Sequence, residues 1–216
     1  MQHFIFDLDG TITHPQPGIV GGYRYAFEKM GFPDKPDSEL VPLIGPPLRH
    51  VFAHMYGFSE SDTLAAVQHY RDYYYGQGGM YDAIIFEGMK ELLHSLKDRE
   101  KTLHIATNKG LHVDKILDHF GVLSYFTSIE HYSEEKGVTN KEIMIQNILD
   151  RENIDDLQRV VMIGDREHDL DAARKKGIAA VGVLYGFGDR EELENCAPAH
   201  LVQDVAELAR VLHQFG

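Results

Sequence analysis

Two carboxylates, Asp7 and Asp9, stand two residues apart between the apolar run Phe4-Ile5-Phe6 and the pair Gly10-Thr11. Three apolar residues closed by an Asp-Gly turn are too few for a helix and read as a buried strand that stops abruptly. Residues two apart on a strand point the same way, so both acids are expected to face one volume. Like charges this close repel, and the pair needs either a cation beside it or a proton on one member. One carboxylate could attack phosphorus as a nucleophile. The other could give a proton to a leaving group and later take one from water. A hard divalent ion such as Mg²⁺ would neutralise the pair and hold a phosphate oxygen. The same letters also suit a plain turn after a strand, so the rest of the chain must decide.

Two further stretches carry polar groups at strand ends, and a lysine stands at a helix start. Thr107-Asn108 follows the short apolar run Leu103 to Ala106 and precedes a helix. A hydroxyl and backbone N–H groups there could hold a phosphate, or Thr and Asn could simply cap the helix. Gly164-Asp165 ends the apolar run Val160 to Ile163, and Asp165 would complete an oxygen ligand set for magnesium. Asp169, four residues on, could orient metal-bound water or a lysine, or cap the next helix. Lys141 is expected in the first turn of a helix opened by a Thr139/Glu142 capping box. A cation there opposes the helix dipole by roughly a few tenths of a kcal/mol unless an anion lies close. Lys136 is the alternative cation, in a looser stretch. Loss of Lys141 is therefore expected to hurt catalysis more than folding. Arg49, beside a Gly-Pro loop, is a candidate substrate contact. His50 and His54 have a zinc-like spacing but no third ligand nearby, and Tyr70, Tyr73, Tyr74 and Tyr75 read as packing residues.

The elements that would position these groups alternate. After Phe86 the chain runs helix, strand, helix, strand through Leu212, with strands expected at 103–106, 127–131, 160–163, 179–184 and 201–202. That order predicts an α/β fold with a doubly wound parallel sheet and right-handed crossovers. Ligands of such sheets sit at the carboxyl ends of the strands, where Asp7, Thr107 and Asp165 all fall. Residues 14–82 have a different profile, with helical periodicity at Ile19, Tyr23, Phe27 and Met30, a start at Gly45-Pro46-Pro47, and a run from Ser59 to Tyr75. Breakers at Pro15–Gly18 and Gly76–Gly79 bound this segment. It is expected to be an inserted α-helical cap, leaving 1–13 and 83–216 as the catalytic core.

A chain of 216 residues can build one sizeable core with an inserted lobe. The formal net charge of −13 argues against nucleic acid and anionic membrane as partners. It leaves a small anionic substrate open, because a metal and local lysines set the field at a site. One cysteine, Cys196, precludes an intrachain disulfide. With no signal peptide and no spanning segment in the sequence, a soluble cytoplasmic protein is expected, as a monomer or weak dimer.

Taken together, Asp7-Leu8-Asp9-Gly10-Thr11, Thr107, Lys141 and Gly164-Asp165 with Asp169 resemble, in order and context, the four motifs of the haloacid dehalogenase superfamily. The helical insert resembles that superfamily's first type of cap. The stretch Gly22 to Ala26 and the tail from Glu191 to Leu208 are similar to phosphoglycolate phosphatases and related 5′-nucleotidases. The resemblance implies Asp7 as nucleophile, Asp9 as general acid and base, and Thr107 and Lys141 on the phosphoryl oxygens. It implies Mg²⁺ held by Asp7, the backbone carbonyl of Asp9 and Asp165, with Asp169 in support. His14-Pro15 departs from the acidic or small polar residues usual there. The expected activity is hydrolysis of a small phosphorylated metabolite through an aspartyl-phosphate. A sugar phosphomutase would use the same core. A dehalogenase would lack Asp9, and a non-catalytic binding protein would not need all five groups.

Overall fold

The computed structural model describes residues 2–44 and 48–215. The helix start expected at Gly45-Pro46-Pro47 lies outside the described residues. The chain forms two compact units, one made of the segments up to His14 and from Ile85 on, the other of Pro15–Ile84.

The first unit begins with β1 (His3–Phe6), a strand whose Phe4, Ile5 and Phe6 are fully buried. A second, two-residue strand, β2, covers Thr13–His14. The second unit then follows, with α1 (Gln16–Lys29), α2 (Asp37–Leu40) and α3 (Leu48–His50), the last running into a π-helical turn at Val51–Met55. Its α4 (Glu60–Arg71) is capped by Ser59, which accepts from Asp62 N–H at 3.1 Å. A π-helical turn at Asp72–Gly76 takes over where a longer α-helix was expected. Tyr23, Phe27, Phe52 and Tyr70 fill its interior, with the Tyr23 and Tyr70 ring centroids 5.2 Å apart. Gly22 is needed here because a Cβ would lie 2.6 Å from the Tyr70 ring.

The chain re-enters the first unit near β3 (Ile84–Ile85) and continues through α5 (Met89–Asp98), β4 (Thr102–Thr107), α6 (Val113–His119), β5 (Phe126–His131) and α7 (Lys141–Glu152). It ends with β6 (Val160–Gly164), α8 (Glu167–Lys176), β7 (Ala179–Val183), α9 (Arg190–Asn195), β8 (His200–Val202) and α10 (Val205–Leu212). Six strands form a parallel sheet in the order β5-β4-β1-β6-β7-β8. Order therefore reverses at β1, whose Phe6 is in register with Ile105 on one side and Ile163 on the other. That reversal opens a crevice at the strand ends. One sheet face, through Ile5, Val160 and Met162, packs on Met144, Ile145 and Ile148 of α7 and on Leu170 and Ala173 of α8. Among the described residues no helix is long and apolar enough to cross a membrane.

The Thr139/Glu142 box is corrected by one residue. Asn140 is the cap, its side-chain oxygen accepting from Ile143 N–H at 3.0 Å. Asn and Thr both cap well, and only the backbone geometry chooses between neighbours.

His104 is fully buried in β4, its Nδ1 2.7 Å from Ser128 Oγ and its Nε2 3.3 Å from His3 Nδ1. Burial pushes its pKa down from 6.5 to about 3. The unfolded chain therefore binds a proton below pH 6.5 that the folded chain refuses. This contribution to stability is intact above 6.5 and is lost as pH falls through that value, at up to about 1.4 kcal/mol per pH unit. Urea unfolding at about pH 7.5 and about pH 5.5 should show that loss in the wild type and a smaller one in His104→Leu. Equal losses would remove His104 as the cause.

Candidate active site

Asp7 is the first residue past β1, and its backbone N–H still donates to Ile163 O at 2.9 Å, which fixes the strand end. Its side chain meets Lys141, the first residue of α7. The Lys141 ammonium is 2.5 Å from Asp7 Oδ1, 2.7 Å from Asp169 Oδ1, and donates to Ala106 O at 2.6 Å. Asp169 Oδ1 has this ammonium as its charge partner. Its other oxygen accepts from Arg166 N–H at 3.2 Å and so closes the start of α8. Lys136, by contrast, is exposed on the turn before Val138.

Asp165 follows β6 and is fully buried. Phe187 N–H donates to its Oδ2 at 2.8 Å, and Thr11 Oγ1 donates to its Oδ1 at 3.4 Å. Gly10, with φ of +90°, lets the loop after β1 pass directly over it, because a Cβ there would collide with the Asp165 carboxylate. Asp7, Asp165 and Asp169 each bring a carboxylate oxygen within 4.8 Å of the others, and all three are buried.

These charges do not balance. Three buried carboxylates face one buried ammonium. Burial pushes the Asp7 carboxyl up to about 7, against the opposing pull of Lys141 and with Asp169 and Asp9 adding to the rise. Burial also raises Asp165 well above the usual range, helped by Asp7 and Asp169. For Lys141, burial alone would lower the pKa, but Asp169 and Asp7 outweigh it and the net shift is upward. A buried all-oxygen set with surplus negative charge fits a hard divalent cation.

Asp9 is not part of this group. Residues two apart share a face only while the strand continues, and β1 ends at Phe6. The Asp9 carboxylate turns instead to Lys109, whose ammonium lies 2.8 Å from Oδ2. Asp9 stays within electrostatic reach of Asp7, whose carboxyl its charge helps to raise. Lys109 was assigned no role in the sequence. The signal available was a lysine two residues after Thr107, in a loop at a strand's carboxyl end. Thr107 is buried, and its Oγ1 accepts from Lys109 N–H at 3.2 Å. Asn108 is exposed. Arg49 belongs to the helical unit, where its guanidinium is held 2.5 Å from Glu60 and is more than half exposed. His50 and His54 lie side by side there, ring centroids 4.9 Å apart. His14 packs between the rings of Phe86 and Phe187 at 5.9 and 5.4 Å.

The doubly wound sheet thus brings Asp7, Thr107 and Asp165 to the carboxyl ends of its strands, with Lys141 and Asp169 packed on the acids. Residues 4–183 match the model of the haloacid dehalogenase-like hydrolases. The chain belongs to that family. A 5′-nucleotidase from Pseudomonas aeruginosa is 41% identical over 213 residues, covering 97% of this chain and 95% of its own. A protein named tyrosine-protein kinase PtkA from Mycobacterium tuberculosis is 35% identical over 190 residues, covering 87% of this chain and 63% of its own. A solved haloacid dehalogenase-like hydrolase from Streptococcus pneumoniae superposes with a TM-score of 0.86 at 28% identity, covering 98% of each chain.

Proposed function

We propose that this chain is a Mg²⁺-dependent phosphatase that hydrolyses a small phosphomonoester through an aspartyl-phosphate on Asp7. The observation that carries the reading is the Lys141 ammonium held between Asp7 and Asp169, 2.5 and 2.7 Å away, beside the surplus negative charge of Asp165. A lysine locked there would offset the charge that a phosphoryl group brings to Asp7. When bound, Mg²⁺ would be held by Asp7, Asp165 and the Asp9 carbonyl and would neutralise phosphoryl charge. In this reading Thr107, at the end of the neighbouring strand, donates its hydroxyl to a phosphoryl oxygen. Asp9 gives a proton to the leaving oxygen and later accepts one from water. In this reading Pro15–Ile84 is the helical cap, and Arg49 is a candidate substrate contact.

For substrate, the strong identity to a 5′-nucleotidase over nearly the whole of both chains supports a nucleoside 5′-monophosphate ahead of phosphoglycolate. Phosphate release from a panel holding both, with Mg²⁺, with Ca²⁺ and with excess chelator, tests this. The expected result is turnover with Mg²⁺, highest kcat/KM on a nucleoside monophosphate, and loss of activity in chelator. Calcium should not substitute, since its looser coordination would allow both oxygens of Asp7 to bind. Full activity in chelator, or no release from any phosphomonoester, would overturn it.

A further inference from the structure

Asp9 lies beyond the end of β1, its backbone in a single β-bridge with Thr13, and its side chain is 25% exposed, so the direction of its carboxyl group rests on side-chain contacts. Two hold it. Thr13 Oγ1 donates to Oδ1 at 3.5 Å, the outer limit of a hydrogen bond, and the Lys109 ammonium sits 2.8 Å from Oδ2. Lys109 is the firmer of the two. Only 6% of its side chain is exposed. Its backbone is tied on both sides, the N–H donating to Thr107 Oγ1 at 3.2 Å and the C=O accepting from Tyr132 N–H at 3.2 Å. A long, flexible side chain is thus delivered to Asp9 from a fixed point in the same loop that presents Thr107.

We propose that Lys109 is the positioning residue for Asp9, holding its carboxyl group where both proton transfers of the reaction occur. The inference rests on the phosphatase reading above. In the first step an oxygen of Asp7 bonds to phosphorus and the ester P–O bond breaks. The bonding pair goes to the ester oxygen, which takes the proton of Asp9. In the second step a water oxygen bonds to phosphorus and the bond from phosphorus to Asp7 breaks, returning its electron pair to the Asp7 carboxylate. The proton lost by the water goes to Asp9, which is restored. One carboxyl group must therefore reach two different oxygens in succession within hydrogen-bond distance. A lysine fixed on Oδ2 sets the plane of that group and leaves Oδ1 as the transferring oxygen. Charge-assisted contacts of this length are shorter and about twice as strong as neutral ones, which suits a carboxyl group whose other contact, from Thr13, is at the limit of a hydrogen bond.

The test compares wild type, Lys109→Met, which keeps the apolar stem without the charge, and Lys109→Arg, which keeps the charge. Each is assayed with an alkyl phosphomonoester, whose leaving oxygen needs a proton, and with p-nitrophenyl phosphate, whose leaving group departs without one. Lys109→Met should lower kcat on the alkyl ester by about 30-fold or more, within the range for general acid–base catalysis, with KM nearly unchanged. On the aryl ester its first turnover should stay near the wild-type rate while the steady state falls, giving a burst, because water attack still needs Asp9. Lys109→Arg should recover most of the lost kcat. Three results would each overturn the role: unchanged kcat on both esters, a raised KM at unchanged kcat, or an equal loss in the first aryl turnover. Melting curves establish that the variants fold, and Lys109→Gln replaces Met if Met does not. If the wild type hydrolyses neither ester, the phosphatase reading itself fails. If it hydrolyses both and Lys109→Met matches it, only the role of Lys109 fails.

Discussion

Asp7→Asn is expected to abolish turnover, lowering kcat by about four orders of magnitude or more, the scale lost when an enzyme's nucleophile is removed. The substitution keeps the shape of the side chain and removes the oxygen that attacks phosphorus. Stability should not suffer. Asp7 sits among buried carboxylates, and burial with their repulsion holds its own carboxyl up to about 7. Taking one negative charge from that cluster leaves Lys141 still paired with Asp169 at 2.7 Å. The melting temperature of metal-free Asp7→Asn should equal or exceed that of the wild type. Wild-type kcat in this variant would exclude covalent catalysis on Asp7.

Lys141→Ala carries the second large effect, and it has two parts. Losing the ammonium that offsets charge at Asp7 should cut kcat/KM by roughly two orders of magnitude or more. The helix dipole alone would leave stability almost unchanged, since a cation at a helix start is mismatched by only a few tenths of a kcal/mol. The contacts of Lys141 reverse that second expectation. Its side chain is 1% exposed and neutralises part of a buried group of three acids. Removing one partner of a buried ion pair costs about 3–5 kcal/mol. The loss should be largest in chelator and smaller with Mg²⁺ present, because a bound cation would compensate the same carboxylates. Thermal melts of Lys141→Ala with and without Mg²⁺ measure this directly. A melting temperature equal to wild type in chelator would show that the acids are neutralised in another way. Lys136→Ala, on an exposed turn, should stay within about 0.5 kcal/mol and keep its activity.

The sheet was legible in the sequence because its central strands carry apolar runs bounded by turn residues, and the run Val160 to Ile163 is buried throughout as β6. Parallel order followed from the alternation of strands with helices. Site residues at strand ends could be read for the same reason, as Asp7, Thr107 and Asp165 each interrupt an apolar run. Lys109 could not be read, because its importance lies in where a long side chain goes, and loop geometry past Thr107 decides that. Asp9 lies past the end of β1 at Phe6, so its pairing with Lys109 could not be read from strand periodicity. Asn140 displaced Thr139 as a cap because both residue types serve equally well. The π-helical turns at Val51–Met55 and Asp72–Gly76 leave no mark on apolar spacing, since a single wider turn shifts the register only locally.

Covalent chemistry at Asp7 is the central claim, and acid-quenched mass spectrometry of the enzyme during turnover tests it most directly. Wild-type protein mixed with a phosphomonoester and Mg²⁺, then quenched within the first turnovers, should carry one phosphoryl group on the peptide that contains Asp7. With p-nitrophenyl phosphate as substrate, Lys109→Met should accumulate more of it, and Asp7→Asn should carry none. Sustained phosphate release with that peptide unmodified at every quench time would contradict the account, and would place the attacking oxygen on water instead of on Asp7.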